Sequence, residues 1–333
     1  MTGILAIAGE NLLSPMVLFF ALGFAAAMVR SDLSVPEAVA KGLSLYLLLS
    51  IGFKGGAGVA EYGASGAIVL ALLAGIVLSA VIPFVAFAIL SAVSSLDRIN
   101  AAAVAAHYGS ISIVTFVAAT SMLTARGIPY EGYMVAVAAV MEAPAIVTAL
   151  VLVHRTRPGE GGTVRSGGLD GALLREVLLG SSVVLLVGAF AIGWITGPDG
   201  LAEIAPFVVD PFKGVLCLFL LDMGLIAGRG IRRGAGVLTL PIVLFGVAMP
   251  LVGAAFGLAT GLAIGLSAGG VAVFATLAAS ASYIAVPAAM RVALPEANPA
   301  IYLTLSLGVT FPFNLVIGIP LYSAAAAMIA GPA

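Results

Sequence analysis

A chain of 333 residues with 62% hydrophobic and 9% charged side chains, a formal net charge of −1 and a mean hydropathy of +1.22 lies far outside the soluble range. That balance fits an all-α polytopic membrane protein in a lipid bilayer and argues against a sizeable water-soluble domain; the near-zero net charge does not point to a partner, and no nucleic acid is expected. The lone cysteine, Cys217, sits in an apolar run, which excludes an intramolecular disulfide or a cysteine metal cluster and leaves it as a small buried residue.

Residues 1–30 carry Glu10 and Asn11 ahead of the apolar stretch and lack a basic start, so the first span is expected to remain in the mature protein and not to be a cleaved signal. Ten apolar stretches are long enough to cross about 30 Å of hydrocarbon at about 1.5 Å per residue. They cover 14–29, 36–58, 66–93, 99–123, 131–153, 177–196, 211–228, 236–259, 262–291 and 300–329. With the N-terminus outside, the cytoplasmic side holds Arg30, Lys41, Arg98, Arg155, Arg157, Arg165, Arg175, Arg229, Arg232, Arg233 and Arg291. Only Lys54, Arg126 and Lys213 fall outside, the bias that the positive-inside rule expects. Both termini then face out. A cytoplasmic linker, 154–176, separates a first five-helix unit, 1–153, from a second, 177–333.

The densest polar interruption of the first half is His107-Tyr108-Gly109-Ser110-Ile111-Ser112-Ile113-Val114-Thr115-Phe116, inside the apolar segment 100–122. Hydrocarbon supplies no water for a free backbone N–H, so Gly-Ser-x-Ser at this depth predicts a broken helix lining a polar cavity. A similar stretch, 277–290, contains Ser280-Ala281-Ser282-Tyr283 and then Pro287; a shift of about 170 residues lays Gly109-Ser110-Ile111-Ser112 on Ala279-Ser280-Ala281-Ser282. The halves match again where Lys41-Gly42 aligns with Lys213-Gly214 at a shift of 172, which sets Ser50 on Asp222, Gly52 on Gly224 and Gly56 on Gly228. Five spans is an odd number, so the second copy must be inverted, the build of a transporter made of two halves.

Glu142 and Asp222 are the acids placed deepest within predicted spans, and an ionisable group at such depth marks an ion or proton path by default. Pro144 follows Glu142, and the other half reads Phe311-Pro312-Phe313-Asn314. Carbonyls freed by proline, with carboxylate, amide and hydroxyl oxygens, suit a small hard cation such as sodium. Half-helix N-termini at 109–112 and 280–283, helped by serine hydroxyls, suit an anion. With no Arg or Lys predicted deep in either break, a small anion of single charge fits better than a phosphate ester. His107 reads as a satisfied structural histidine, and His154 as an interfacial one. Gly63-Ala64-Ser65-Gly66 is similar to the serine motif of rhomboid proteases but falls in a predicted outer loop; Gly55-Gly56-Ala57-Gly58 lacks a nucleotide-binding frame and reads as close helix packing.

Residues 106–116, Gly52-Phe53-Lys54-Gly55-Gly56, Met141-Glu142-Ala143-Pro144-Ala145 and Phe219-Leu220-Leu221-Asp222-Met223-Gly224 together resemble the sodium-dependent bicarbonate transporters first associated with cyanobacterial carbon concentration, and their bacterial relatives. The resemblance spans nearly the whole chain. It implies ten helices in two inverted five-helix repeats, gate and core domains, two crossed broken helices, a homotrimer and elevator-type alternating access in the bacterial inner membrane. It implies bicarbonate as cargo and sodium as coupling ion, with no other cofactor. Carried onto this chain, the anion site falls at Gly109, Ser110, Ser112, Ser280, Ser282 and Tyr283. The sodium site draws on Thr115, Glu142 and Asn314, while Asp222 lies on a helix expected in the gate. The short arginine-bearing linker departs from the longer cyanobacterial segment, which puts a regulator resembling the PII signalling proteins in doubt.

The expectation is sodium-coupled symport of bicarbonate into the cell, and no enzyme activity. The alternatives are a proton- or sodium-coupled carrier of another small anion, and an anion channel.

Overall fold

The computed structural model describes residues 13–62, 66–142, 144–154, 181–234, 238–283, 286–287, 290, 294 and 296–331, and among them every regular element is helical. In chain order these are α1 (Pro15–Met28), α2 (Glu37–Tyr62), α3 (Gly66–Val93), α4 (Arg98–Gly109), α5 (Ile113–Ala125), α6 (Met134–Val140), α7 (Pro144–His154), α8 (Ser181–Val208), α9 (Phe212–Gly234), α10 (Leu240–Ala263), α11 (Ala268–Ala279) and α12 (Pro299–Ala330). Among the described residues, seven helical segments are long and apolar enough to cross a membrane: α2, α3, α4 with α5, α8, α9, α10 and α12. The remaining sequence stretches, 14–29, 131–153 and 262–291, meet shorter apolar helices. The 154–176 linker falls almost wholly outside the described residues, as does Ser65 of the Gly-Ala-Ser-Gly stretch.

Burial sorts the helices. The window over α4 and α5 is 94% buried and that of α8 only 22%, although both are apolar. α8 turns Val184, Val187, Ile192 and Ile195 outward, and α3 turns Val69, Leu70, Leu73 and Val77 outward, faces that only a hydrocarbon solvent satisfies.

Two helix pairs touch closely. α2 packs along α8, and α1 along α9. The pairs run parallel, since Gly52 lies against Leu186 while Gly56 lies against Phe190 and Trp194, and Gly224 lies against Phe20 while Gly228 lies against Phe24 and Ala27. The approach is backbone to backbone. A Cβ at Gly23 would collide with the Leu221 carbonyl, and one at Gly193 with the Phe53 carbonyl. At the Arg30 end of α1, the Arg232 guanidinium donates to Ala27 O (2.8 Å) and that of Arg229 to Leu33 O (2.7 Å), satisfying carbonyls at the end of α1 and in the segment after it.

One element departs from the sequence reading, and another shows how a proline is accommodated. α8 was expected to stop at residue 196, but helix resumes after a turn at Gly197 (φ 64°) and runs to Val208, where Phe207 O accepts the Tyr46 hydroxyl (2.5 Å). Gly197 reaches the left-handed region without a Cβ penalty, and Pro198 pre-sets the first turn of the second piece. In α12, Pro312 does not break the helix. Wider π turns at Ser306–Thr310 and Asn314–Gly318 flank Phe311–Phe313 and absorb the missing N–H.

Candidate functional site

α4 stops at Gly109 and α5 begins at Ile113, leaving Ser110, Ile111 and Ser112 non-helical in the middle of a buried segment. Gly109 is required there by contact, because a Cβ would collide with the Pro83 ring on α3 and crowd Ala145 on α7. α11 stops at Ala279, and residues 280–283 continue without helix. The two breaks meet. Ser112 N donates to Ser280 Oγ (2.9 Å), Ser282 N donates to His107 O (2.7 Å), and Ser280 Oγ donates onward to Leu277 O (2.8 Å).

A cavity of about 30 Å³ opens beside this meeting point. One water needs about 10–15 Å³ on the same measure, so the space suits a small ion and not a sugar or nucleotide. One wall is Ile111, Ser112, Ile113, Val114 and Val117 from the start of α5, with Glu142, Ser282 and Tyr283; the other is Ser44, Leu47 and Leu48 of α2 with Phe219 of α9. Ser112 caps α5 by accepting from Thr115 N (3.2 Å), and Phe116 N closes the first turn on Ser112 O (3.0 Å). The amides of Ile113 and Val114 are therefore first-turn donors with no intrahelical partner, at the positive end of the helix and on residues that line the cavity.

Glu142 sits in the gap between α6 and α7 and is 6% exposed, with Oε2 lacking a hydrogen bond among the described residues. The preceding residue is held by Ser79, whose hydroxyl donates to Met141 O (2.6 Å). A carboxylate and anion-seeking amides thus share one small cavity. Two like unit charges about 4 Å apart repel by roughly 4 kcal/mol at an effective dielectric of about 20, so an anion enters beside Glu142 only with a cation or a proton.

The sequence-predicted site residues separate into groups. Ser112, Ser282, Tyr283 and Glu142 line the cavity together, with the Tyr283 ring edge-on to Phe311 (5.4 Å). Gly109, Ser110 and Ser280 stand at the crossing next to it, Ser110 Oγ being buried without a partner among the described residues. Thr115 is buried one turn into α5. Asn314 is engaged elsewhere, its Nδ2 donating to Ala279 O (2.9 Å) and its Oδ1 accepting from the Tyr322 hydroxyl (2.8 Å). Asp222 is buried on α9 but does not line the cavity. His107 donates from Nδ1 to Ala103 O (2.6 Å) and stacks on Tyr302 at 4.4 Å, but its Nε2 is buried with no partner among the described residues, so only one of its two ring nitrogens is satisfied.

The second wall escaped the sequence reading. Leu47 and Phe219 are counterparts under the 172-residue shift, so a pair matched across the halves was the available signal.

Seven candidate spans among the described residues, a buried broken helix and an ion-sized cavity at the break mark the class as a multi-pass membrane transport protein. A family model described as the Na+-dependent bicarbonate transporter superfamily matches residues 15–327, and the chain belongs to that family. No curated protein matches it.

Proposed function

We propose that the protein is a sodium-coupled symporter of bicarbonate in the bacterial inner membrane, built as ten transmembrane helices in two inverted five-helix repeats, 1–153 and 177–333. The observation that carries this reading is the meeting of the α5 amides with Glu142 in one cavity. Bicarbonate is held by those amides and by Ser110, Ser112, Ser280, Ser282 and Tyr283 around the crossing. Sodium is held beside Glu142, with Thr115 and Asn314 as further oxygen donors and Asp222 as a separate, outlying carboxylate. Paired charges cross at lower electrostatic cost than either alone, which couples the two. Asn314 would have to release the Tyr322 hydroxyl or share its Oδ1 to serve a cation.

The exchanged pairing of α1 with α9 and α2 with α8 supports the inverted repeat. Those four helices form the gate of this reading, and the other spans form a core that slides past it as an elevator, in a homotrimer with both termini outside. The family that the chain belongs to supports sodium and bicarbonate as the transported pair. A second reading replaces sodium by a proton on Glu142, favoured by the unpartnered Oε2.

Uptake of labelled bicarbonate into proteoliposomes separates the two. Uptake with external sodium, absent with potassium and lost in Ser112→Ala and Glu142→Gln, is the expected result. Uptake driven by a pH gradient without sodium would replace symport of sodium by the proton reading.

A further inference from the structure

We propose that Ser44 is a cargo-binding residue available only while the cavity opens toward the Lys41 end of α2, so that the protein binds its anion with different affinity from the two faces of the membrane. This rests on the alternating-access reading above. Of the four residues that α2 and α9 give to the cavity, Ser44, Leu47, Leu48 and Phe219, only Ser44 is polar, and its hydroxyl makes no hydrogen bond among the described residues.

α2 and α9 run antiparallel past the cavity. Lys54 stands over the Phe212 ring (3.7 Å to its centre), whereas Leu47 and Phe219 share the cavity about two turns further along their helices. Leu47 and Phe219 are each other's counterparts between the halves, so they lie where the two repeats exchange. Ser44 is one turn from Leu47 toward Lys41; its counterpart is Leu216, fully buried, outside the cavity and one turn from Phe219 toward Lys213. Leu48 has Leu220 as its counterpart, also fully buried. When inverted halves trade places, the cavity wall becomes Leu216, Phe219, Leu220 and Leu47, which carries no hydrogen-bonding side chain. An oxyanion loses water to that apolar wall with nothing returned, while in the present arrangement the Ser44 hydroxyl donates to it.

Sidedness of modification and of affinity tests this. In a Cys217→Ala background, which removes the only cysteine, Ser44→Cys and Leu216→Cys are reconstituted and treated with a membrane-impermeant methanethiosulfonate from one face at a time. Ser44→Cys is expected to react only from the face that bears Arg30 and Lys41, more slowly with sodium and bicarbonate present, and Leu216→Cys only from the opposite face. In Ser44→Ala, half-saturating bicarbonate is expected to rise about threefold to tenfold on the Lys41 face, the loss of one hydrogen bond, with the other face unchanged. Modification of Ser44→Cys from the wrong face, or an equal change of affinity on both faces, would overturn the proposal. One-sided modification without protection by bicarbonate and sodium would leave the one-sided wall standing and remove the bicarbonate reading instead.

Discussion

α4 and α11 are each 12 residues long, start at a side-chain cap, Asp97 or Ser267, and stop at a serine in extended backbone, Ser110 at φ −92°, ψ 158° and Ser280 at φ −83°, ψ 162°. Beyond that point they diverge. Ser280 Oγ both accepts from Ser112 N and donates to Leu277 O, whereas Ser110 Oγ is buried with no partner among the described residues. The close contact with the facing span is also made from opposite sides. In the first half the glycine is on the broken helix, Gly109 against Pro83; in the second it is on the facing span, Gly253 against Ala278 and Ala279. Positions matched at the 170-residue shift therefore share backbone geometry while dividing the chemistry, one serine fastening the crossing and the other buried without a partner among the described residues.

The largest effect should come from removing the close approach. Gly109→Ala and Gly253→Ala both drive a Cβ into neighbouring ring or backbone atoms, and overpacking of this kind costs about 3 kcal/mol or prevents folding altogether. Thermal unfolding in detergent reads this directly, and a near-native melting temperature for either variant would break the claim that both contacts are tight.

The serines should then separate. Ser280→Ala leaves the buried Ser112 N–H unsatisfied and should cost about 1–3 kcal/mol. Ser110→Ala deletes a hydroxyl with no partner among the described residues, so its stability should stay within about 0.5 kcal/mol of the parent while bicarbonate uptake falls. Equal destabilisation of the two variants would make the serines equivalent and end the contrast.

How much of this was legible from the chain depended on which force set each feature. The breaks were readable because Gly109-Ser110 and Ser280 interrupt apolar runs, and an interruption at membrane depth must line something polar. The seven long spans followed from apolar length alone. The second piece of α8 was not readable: residues 198–208 carry Asp199, Glu203 and Pro206, which read as an outer loop until packing on α2 through Tyr46 gives the segment a partner. The cavity wall of Ser44, Leu47, Leu48 and Phe219 was hidden for a different reason. Its residues are ordinary for a membrane helix, and only the packing of two distant helices against the crossing makes them a site. For Asn314, depth and a neighbouring proline were legible, but its two structural bonds were not: Nδ2 donates to Ala279 O and Oδ1 accepts from the Tyr322 hydroxyl.

A smaller effect tests the support behind the second break. Asn314→Ala removes the bond to Ala279 O and the acceptor for the Tyr322 hydroxyl, and should cost about 1–2 kcal/mol in thermal unfolding. The smallest belongs to the outer caps. Asp97 accepts from Ile99 N and Asn100 N (both 3.0 Å); partial burial opposes its ionisation, but the hydrogen bonds from Asn100 and Ile99 outweigh it and hold the carboxyl below its ordinary value. Asp97→Ala should cost about 1 kcal/mol, and Ser267→Ala a similar amount, if the two helix starts are as alike as their geometry.

The central claim is that Glu142 and the first-turn amides of α5 form one site in which cation and anion bind together. Calorimetric titration of bicarbonate into purified protein, in sodium and then in potassium, with Glu142→Gln alongside, tests it most directly. Linkage requires that sodium tighten bicarbonate and bicarbonate tighten sodium by the same factor. The account predicts at least a tenfold gain in bicarbonate affinity with sodium in the parent protein and none in Glu142→Gln. Bicarbonate affinity that is indifferent to sodium, or a sodium effect that survives in Glu142→Gln, would contradict it.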